Sequence, residues 1–133
     1  MRVFADTNVV ISAFTANGLS SKLFDLLNVK HQILVSPQVL SEFRRVATDK
    51  FKADPREVQD FLAEIIKNSQ VILPPYLVKF PVRDPDDIDI LAAAVKGHSE
   101  VLVTGDNDLL DIVEPPLPIL TPRALYDLLI ANE

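Results

Sequence analysis

Short apolar runs alternate along this chain with longer stretches in which apolar residues recur at helical spacing. The runs are rich in Val, Ile or Leu, are bounded by turn or capping residues, and predict strands at residues 2–5, 33–36, 71–73, 101–104 and 119–120. Strands that alternate with helices are typical of βαβ units and a parallel sheet. The pattern therefore predicts an α/β fold with a mostly parallel sheet of about five strands.

A capping residue followed by proline marks four predicted helix starts. Proline tolerates the first helical position, and the preceding side chain can accept a hydrogen bond from a free N–H of the first turn. Each pair precedes apolar residues at helical spacing, and the pairs are Ser36-Pro37, Asp54-Pro55, Asp84-Pro85 and Thr121-Pro122. Two further helices are expected over residues 9–14 and 20–27. No repeat or domain boundary is visible, so we expect one domain over residues 1–133.

Composition limits the size of the core, the kinds of metal site and the cellular location that we expect. A chain of 133 residues can bury about two-thirds of the surface that its unfolded form exposes. The absence of cysteine excludes disulfides and thiolate zinc sites and agrees with a reducing compartment. The first residues lack the features of a secretory signal, and no stretch approaches the roughly 20 apolar residues of a membrane helix. We therefore expect a soluble cytoplasmic protein without membrane association.

Four acids occupy positions where an α/β protein places its chemistry. Asp6 ends the first strand, Glu42 lies at the border of an apolar helix face, Asp87 opens a helix, and Asp106 follows a later strand. Ligands of such folds bind beyond the carboxyl ends of the strands. Clustered carboxylates repel one another unless cations compensate, and hard divalent cations prefer oxygen ligands. The four acids therefore predict a divalent metal site.

Each acid also has a structural alternative. Asp6 and Asp106 could be helix caps or turn residues, and Glu42 taken alone could be a solvated residue paired with Arg44 or Arg45. The alternatives explain the acids one at a time. They leave unexplained why strand-end acids recur along the chain.

The third acid belongs to a cluster in which Asp84, Asp86 and Asp89 accompany Asp87. Asp84-Pro85-Asp86-Asp87 resembles a capping box, which would account for one or two of these acids. It does not account for all of them, because the helix dipole stabilises each exposed acid by only about 0.3–1 kcal/mol and the acids repel one another.

The net charge of −6 argues against a nucleic-acid ligand, since phosphate binding depends mainly on Lys and Arg. Two divalent cations would balance the four candidate acids, however, and the occupied site could then accept a phosphate. Residues 44–56 also contain five cations and two acids. Arg44, Arg45 and Lys50 are the candidate substrate-binding residues there. The alternative is an ordinary solvated helix end, whose cations suit the dipole.

With these residues assembled, the chain resembles the PIN domain family of small metal-dependent ribonucleases, which includes the VapC-type toxins of toxin–antitoxin pairs. The matching motifs are FADTNVVISAF, LSEFRRV, DPDDIDILAAAV and VLVTGDNDLL. The resemblance implies a three-layer α/β/α sandwich. It places the catalytic, metal-binding acids of the family at Asp6, Glu42, Asp87 and Asp106, with supporting polar residues at Asn8, Thr104 and Asp108.

The resemblance leaves two assignments open. Asp87 is chosen by its distance to ILAAA, and Asp86 or Asp84 could replace it. Asn8 could orient Asp6, or it could be a helix-capping amide.

The resemblance further implies Mg²⁺ or Mn²⁺ as cofactor, RNA as substrate, a cognate antitoxin protein as partner, and a homodimer. The alternative function is a catalytically weak or inactive PIN-like module that binds RNA or another protein.

Overall fold

The predicted strands form one parallel sheet whose order is β3-β2-β1-β4-β5. A computed structural model describes residues 1–15, 18–73 and 85–132, and of residues 85–87 it describes the backbone alone. Its elements in chain order are β1 (Arg2–Ala5), α1 (Thr7–Thr15), α2 (Leu19–Lys30), β2 (Gln32–Val35), α3 (Pro37–Asp49), α4 (Pro55–Asn68), β3 (Ser69–Val71), α5 (Pro85–Lys96), β4 (Val101–Val103), α6 (Asn107–Leu110), β5 (Ile119–Leu120) and α7 (Pro122–Ala131).

The central strands are buried on both faces. Successive side chains of a strand point to opposite faces, yet Val3, Phe4 and Ala5 of β1 are all fully buried. The same holds for Ile33–Val35 of β2 and for all of β4. A parallel sheet with consecutive buried residues has helices packed on each side. The predicted three-layer α/β/α sandwich is therefore confirmed.

Strand order creates a switch point at the centre of the sheet. The chain runs from β1 outward to β2 and β3, then returns to β4 on the other side of β1. Ala5 at the end of β1 pairs with Val103 at the end of β4. The two connections that follow these strands therefore leave the sheet side by side, which is where ligands bind in such folds.

Local capping signals predicted the helix starts well. The side chains of Ser36, Asp54 and Thr121 each accept a hydrogen bond from a backbone N–H in the first turn of the helix that follows. Asp84 lies outside the described residues. None of the helices in the part of the chain that the structure describes has the length and apolar character to span a membrane.

Strand ends were predicted less accurately, and the partner strand explains the difference. The strand predicted at 71–73 lies two residues earlier, at Ser69–Val71, because Ser69 pairs with Ile33 and Val71 with Val35, the last residue of β2. Residue 36 likewise leaves β2 because its side chain caps α3.

A close approach between α5 and β2 requires a glycine. A Cβ at Gly97 would lie 2.7 Å from Leu34 Cδ2 and 2.9 Å from Ile72 Cγ1, both on buried side chains. The Arg2 guanidinium donates from Nε and Nη2 to the Gly97 carbonyl at 3.1 and 2.6 Å. These contacts tie the end of α5 to the start of β1.

Candidate functional site

Asp6 is buried directly at the switch point. It follows β1, its backbone N–H donates to the Val103 carbonyl of β4 at 3.1 Å, and the residue is only 6% exposed. Backbone pairing between the central strands therefore fixes where this carboxylate lies.

Three donors converge on the Asp6 carboxylate. Oδ1 accepts from the Thr7 backbone N–H at 2.7 Å, and Oδ2 accepts from the Thr104 hydroxyl at 2.7 Å and from Asn8 Nδ2 at 3.1 Å. Burial raises the pKa of Asp6, the hydrogen bonds from Thr104 and Thr7 lower it, and the charges of Asp106 and Glu42 raise it. The net pKa lies above the ordinary value, because removing a carboxylate from water outweighs these donors.

Asn8 and Thr104 join the loop after β1 to the loop after β4. The Asn8 side-chain oxygen accepts from the Gly105 N–H at 2.9 Å, while the Thr104 hydroxyl accepts from the Asp106 N–H at 3.0 Å. Asn8 Nδ2 also lies 3.3 Å from the Thr104 hydroxyl. The Asn8 amide thus contacts both Asp6 and the backbone next to Asp106, as its proposed orienting role requires.

Asp106 is partly buried and caps α6, since its Oδ1 accepts from the Asp108 N–H at 2.9 Å. Asp106 is therefore a helix cap, as its structural alternative predicted. Capping does not exclude a second role, because the charge of Asp106 is close enough to Asp6 to raise the pKa of Asp6. Asp108 itself is exposed.

Glu42, on α3, contacts Thr7, the residue next to Asp6. Its Oε2 accepts from the Thr7 hydroxyl at 2.9 Å and its Oε1 from Gln38 Nε2 at 3.2 Å. Its charge also raises the pKa of Asp6. We call Asp6, Glu42 and Asp106 the acid cluster, because the charges of Glu42 and Asp106 both act on Asp6. The solvated pairing of Glu42 with an arginine is not what the described residues show.

Two contact residues were missed by the sequence analysis. Gln38 precedes Glu42 by one helical turn, a spacing at which side chains meet, so it could have been found. Thr7 had no comparable signal, because its hydroxyl meets a residue 35 positions away.

The third predicted acid stays a prediction. Asp87 lies in the first turn of α5, but its side chain and that of Asp86 are outside the described residues, as is all of Asp84. Among the side chains that the structure describes, no three acidic or imidazole groups are arranged closely enough to hold one ion. The acid cluster would therefore need a further ligand, or a small movement, to surround a cation.

The candidate substrate cations point in different directions. Arg44 lines two cavities, of about 310 and 220 Å³, between α3 and α4. Arg45 is exposed and lies three residues after Glu42, a spacing that places both on one side of the helix. Lys50 caps the end of α3, with its ammonium 5.9 Å from the centroid of the Phe51 ring. Arg45 is therefore the cation on the side of the acid cluster.

Comparison with known families decides the class of the protein. Residues 2–108 match the model of the PIN domain family. The chain belongs to the PIN domain family. The matched region contains all four predicted acids together with Thr7, Asn8 and Thr104.

Solved structures share the fold of this PIN domain at low sequence identity. The VapBC2 complex of Rickettsia felis, bound to a DNA fragment from its promoter, contains a chain with a TM-score of 0.67 and 18% identity, covering 91% of this chain and 98% of that one. VapBC-1 of nontypeable Haemophilus influenzae gives a TM-score of 0.57 and 14% identity, with 92% and 99% covered. The PilT N-terminus domain protein SSO1118 of Sulfolobus solfataricus P2 gives 0.53 and 16%, with 98% and 94% covered. No curated protein matches the sequence.

The donor set of this PIN domain suits a hard divalent cation in its chemistry. The acid cluster consists of carboxylates alone, and Mg²⁺ and Mn²⁺ prefer such oxygen ligands. Burial is the main cause of the raised pKa of Asp6, and the charges of Asp106 and Glu42 raise it further. A bound cation would relieve that repulsion.

Proposed function

We propose that this PIN domain is a metal-dependent endoribonuclease. The observation that carries the proposal is the acid cluster at the switch point. Asp6 is buried there, and the charges of Glu42 and Asp106 disfavour its ionised form. A protein rarely keeps like charges together unless the site needs them, so a buried carboxylate with a raised pKa in a ligand-binding crevice indicates a functional site. Members of the PIN domain family are generally nucleases, which supports the same activity.

The acids would hold Mg²⁺ or Mn²⁺ at Asp6, Glu42 and Asp106, with Asp87 as the fourth acid. When bound, such an ion acts as a Lewis acid toward the phosphodiester and lowers the pKa of water.

Other groups of the protein position the acids of the site. Thr104, Asn8 and the Thr7 N–H favour the ionised form of Asp6 and fix its orientation, since each donates to one of its oxygens. Asn8 and Thr104 also fix the backbone that carries Asp106. Preorganised charges of this kind need no rearrangement when substrate binds.

The experiment is an RNA cleavage assay with Mn²⁺ or Mg²⁺, with and without chelator. We expect the chelator to abolish cleavage, and Asp6→Asn and Asp106→Asn to lower it by at least about 100-fold, the upper end of the loss caused by second-shell changes. Asp111→Asn is the matched control, because Asp111 is an exposed acid in the same loop region as Asp106.

Separate substitutions to Asn at Asp84, Asp86 and Asp87 identify the fourth acid, and we expect only Asp87→Asn to abolish cleavage. Equal cleavage by wild type, Asp6→Asn and Asp106→Asn would refute the proposal and indicate a contaminating nuclease.

One observation favours the alternative function. The described acids do not by themselves form a group of three around one ion. A module that binds RNA without cutting it would show RNA binding that survives chelation, and no cleavage at any Mn²⁺ concentration. The same assay therefore separates the two functions when binding is measured alongside cleavage.

We also propose that the protein is the toxin of a toxin–antitoxin pair and works as a homodimer. Two of the similar structures are VapBC complexes, which supports an antitoxin partner. Co-purification with the product of an adjacent small reading frame, with loss of ribonuclease activity in the complex, tests the partner. Sedimentation of the free protein tests the dimer, and a monomer at micromolar concentration would contradict it.

A further inference from the structure

Thr7 contacts two of the three members of the acid cluster. It is the first residue of α1 and only 8% exposed. Its backbone N–H donates to Asp6 Oδ1 at 2.7 Å, while its hydroxyl donates to Glu42 Oε2 at 2.9 Å. A single residue therefore donates to two carboxylates that repel each other.

We propose that Thr7 is a positioning residue that holds the Glu42 carboxylate toward Asp6, with Gln38 as a second support. The inference rests on the proposed function, because it assigns Thr7 a role at the same metal site. Thr7 acts through Glu42 and touches neither substrate nor cation in this role.

Glu42 needs such a support for a physical reason. It projects from a helix into a half-buried position, its side chain has several rotatable bonds, and the charge of Asp6 repels it. Thr7 is suited to opposing that repulsion, because its branched side chain has few rotamers and is buried. The hydroxyl therefore has few alternative positions to the one that bonds Glu42.

Gln38 completes the arrangement from within α3. It lies one turn before Glu42 and donates to the other carboxylate oxygen at 3.2 Å, a longer bond than that of Thr7. Each oxygen of Glu42 then has one donor and retains capacity for a further interaction, since an ionised carboxylate offers about four acceptor positions. Holding a ligand in this way without using up its oxygens is the usual role of second-shell groups.

Thr7→Val is the decisive variant, because it removes the hydroxyl while keeping the branched shape and the backbone N–H to Asp6. We expect Mn²⁺ binding to the protein without RNA, measured by isothermal titration calorimetry, to weaken by about tenfold or more. The kcat for RNA cleavage should fall as well, with the KM for RNA unchanged. Thr7→Ser should retain the binding of the wild type, because it retains the donor.

Two controls separate positioning from a general effect on the fold. In a Glu42→Ala background, Thr7→Val should change Mn²⁺ affinity by less than about twofold, since its partner is gone. Thr15→Val removes an exposed hydroxyl at the other end of α1 and should change nothing. If Thr7→Val does not fold, the Thr7→Ser and Thr7→Ala pair, which differs only by the hydroxyl, carries the test.

The possible failures are distinguishable. Wild-type protein that neither binds Mn²⁺ nor cleaves RNA would overturn the proposed function and this inference together. Wild-type binding with unchanged affinity in Thr7→Val would overturn this inference alone. An equal loss with and without Glu42 would also overturn it, because Thr7 would then act through something other than that carboxylate.

Discussion

Replacing Thr104 by valine tests how the centre of the site is held together. Valine keeps the size and branching of threonine, so the change removes a fully buried hydroxyl and little else. The bond to the Asp6 carboxylate is charge-assisted and contributes about 1.5–3 kcal/mol, and the Asp106 N–H loses its acceptor at a cost of about 1 kcal/mol. We therefore expect the free energy of unfolding at neutral pH to fall by about 2.5–4 kcal/mol.

The size of this loss should depend on pH. Burial raises the folded-state pKa of Asp6 above its unfolded value, so Asp6 contributes stability below the unfolded pKa that is lost as pH rises through the folded pKa. Thr104 favours the ionised form, and its removal raises the folded pKa further. The destabilisation should therefore be largest above the folded pKa of Asp6. Below it the loss should shrink toward about 2 kcal/mol, because there a neutral hydrogen bond to Asp6 and the acceptor of the Asp106 N–H are lost.

Urea unfolding of wild type and Thr104→Val across pH 4 to 8, without metal, measures the effect. Thr121→Val is the matched control, because it removes a helix-capping hydroxyl whose partner is the Ala124 N–H and not a carboxylate. That control should cost about 1 kcal/mol at every pH. If Thr104→Val shows the same loss at both ends of the range, the hydroxyl does not stabilise the ionised form of Asp6 and the reasoning is wrong.

Two further predictions concern the fold and the substrate. Gly97→Ala should lower the free energy of unfolding by about 1–3 kcal/mol, since its Cβ would overlap buried side chains. Gly18→Ala, which has open space around its Cβ but replaces the N-cap of α2, should cost less, about 1 kcal/mol at most, in the same thermal unfolding assay. Arg45→Gln should weaken binding to single-stranded RNA and reduce the slope of log affinity against log salt by about 0.7, whereas Arg44→Gln should not. Equal effects of the two arginine variants would contradict their assignment to different sides of α3.

Local signals in the sequence predicted most of the fold. Apolar runs identified β1, β2, β4 and β5, and they overlapped β3 at Val71 alone. The cap-proline pairs at Ser36, Asp54 and Thr121 identified helix starts. Both signals depend on neighbours within one turn or strand. The end of β3 was misplaced because the length of β2 decides it. Pairing between strands is a property of the assembled sheet.

The features of the site also divide into those that local sequence indicated and those that only tertiary contacts decided. Sequence alone indicated Asp6 and Asp106 through their positions at the ends of strands, and it indicated Glu42 through its position at the border of a helix face. Tertiary structure alone decided that Thr7 reaches Glu42 and that Asn8 reaches Gly105, because these contacts join residues 35 and 97 positions apart. The sequence thus determined which chemical groups are available at the sheet edge. Only the packing of β1 against β4 and of α1 against α3 determined which of them meet, since hydrogen bonds form over about 3 Å and no local pattern specifies such distances.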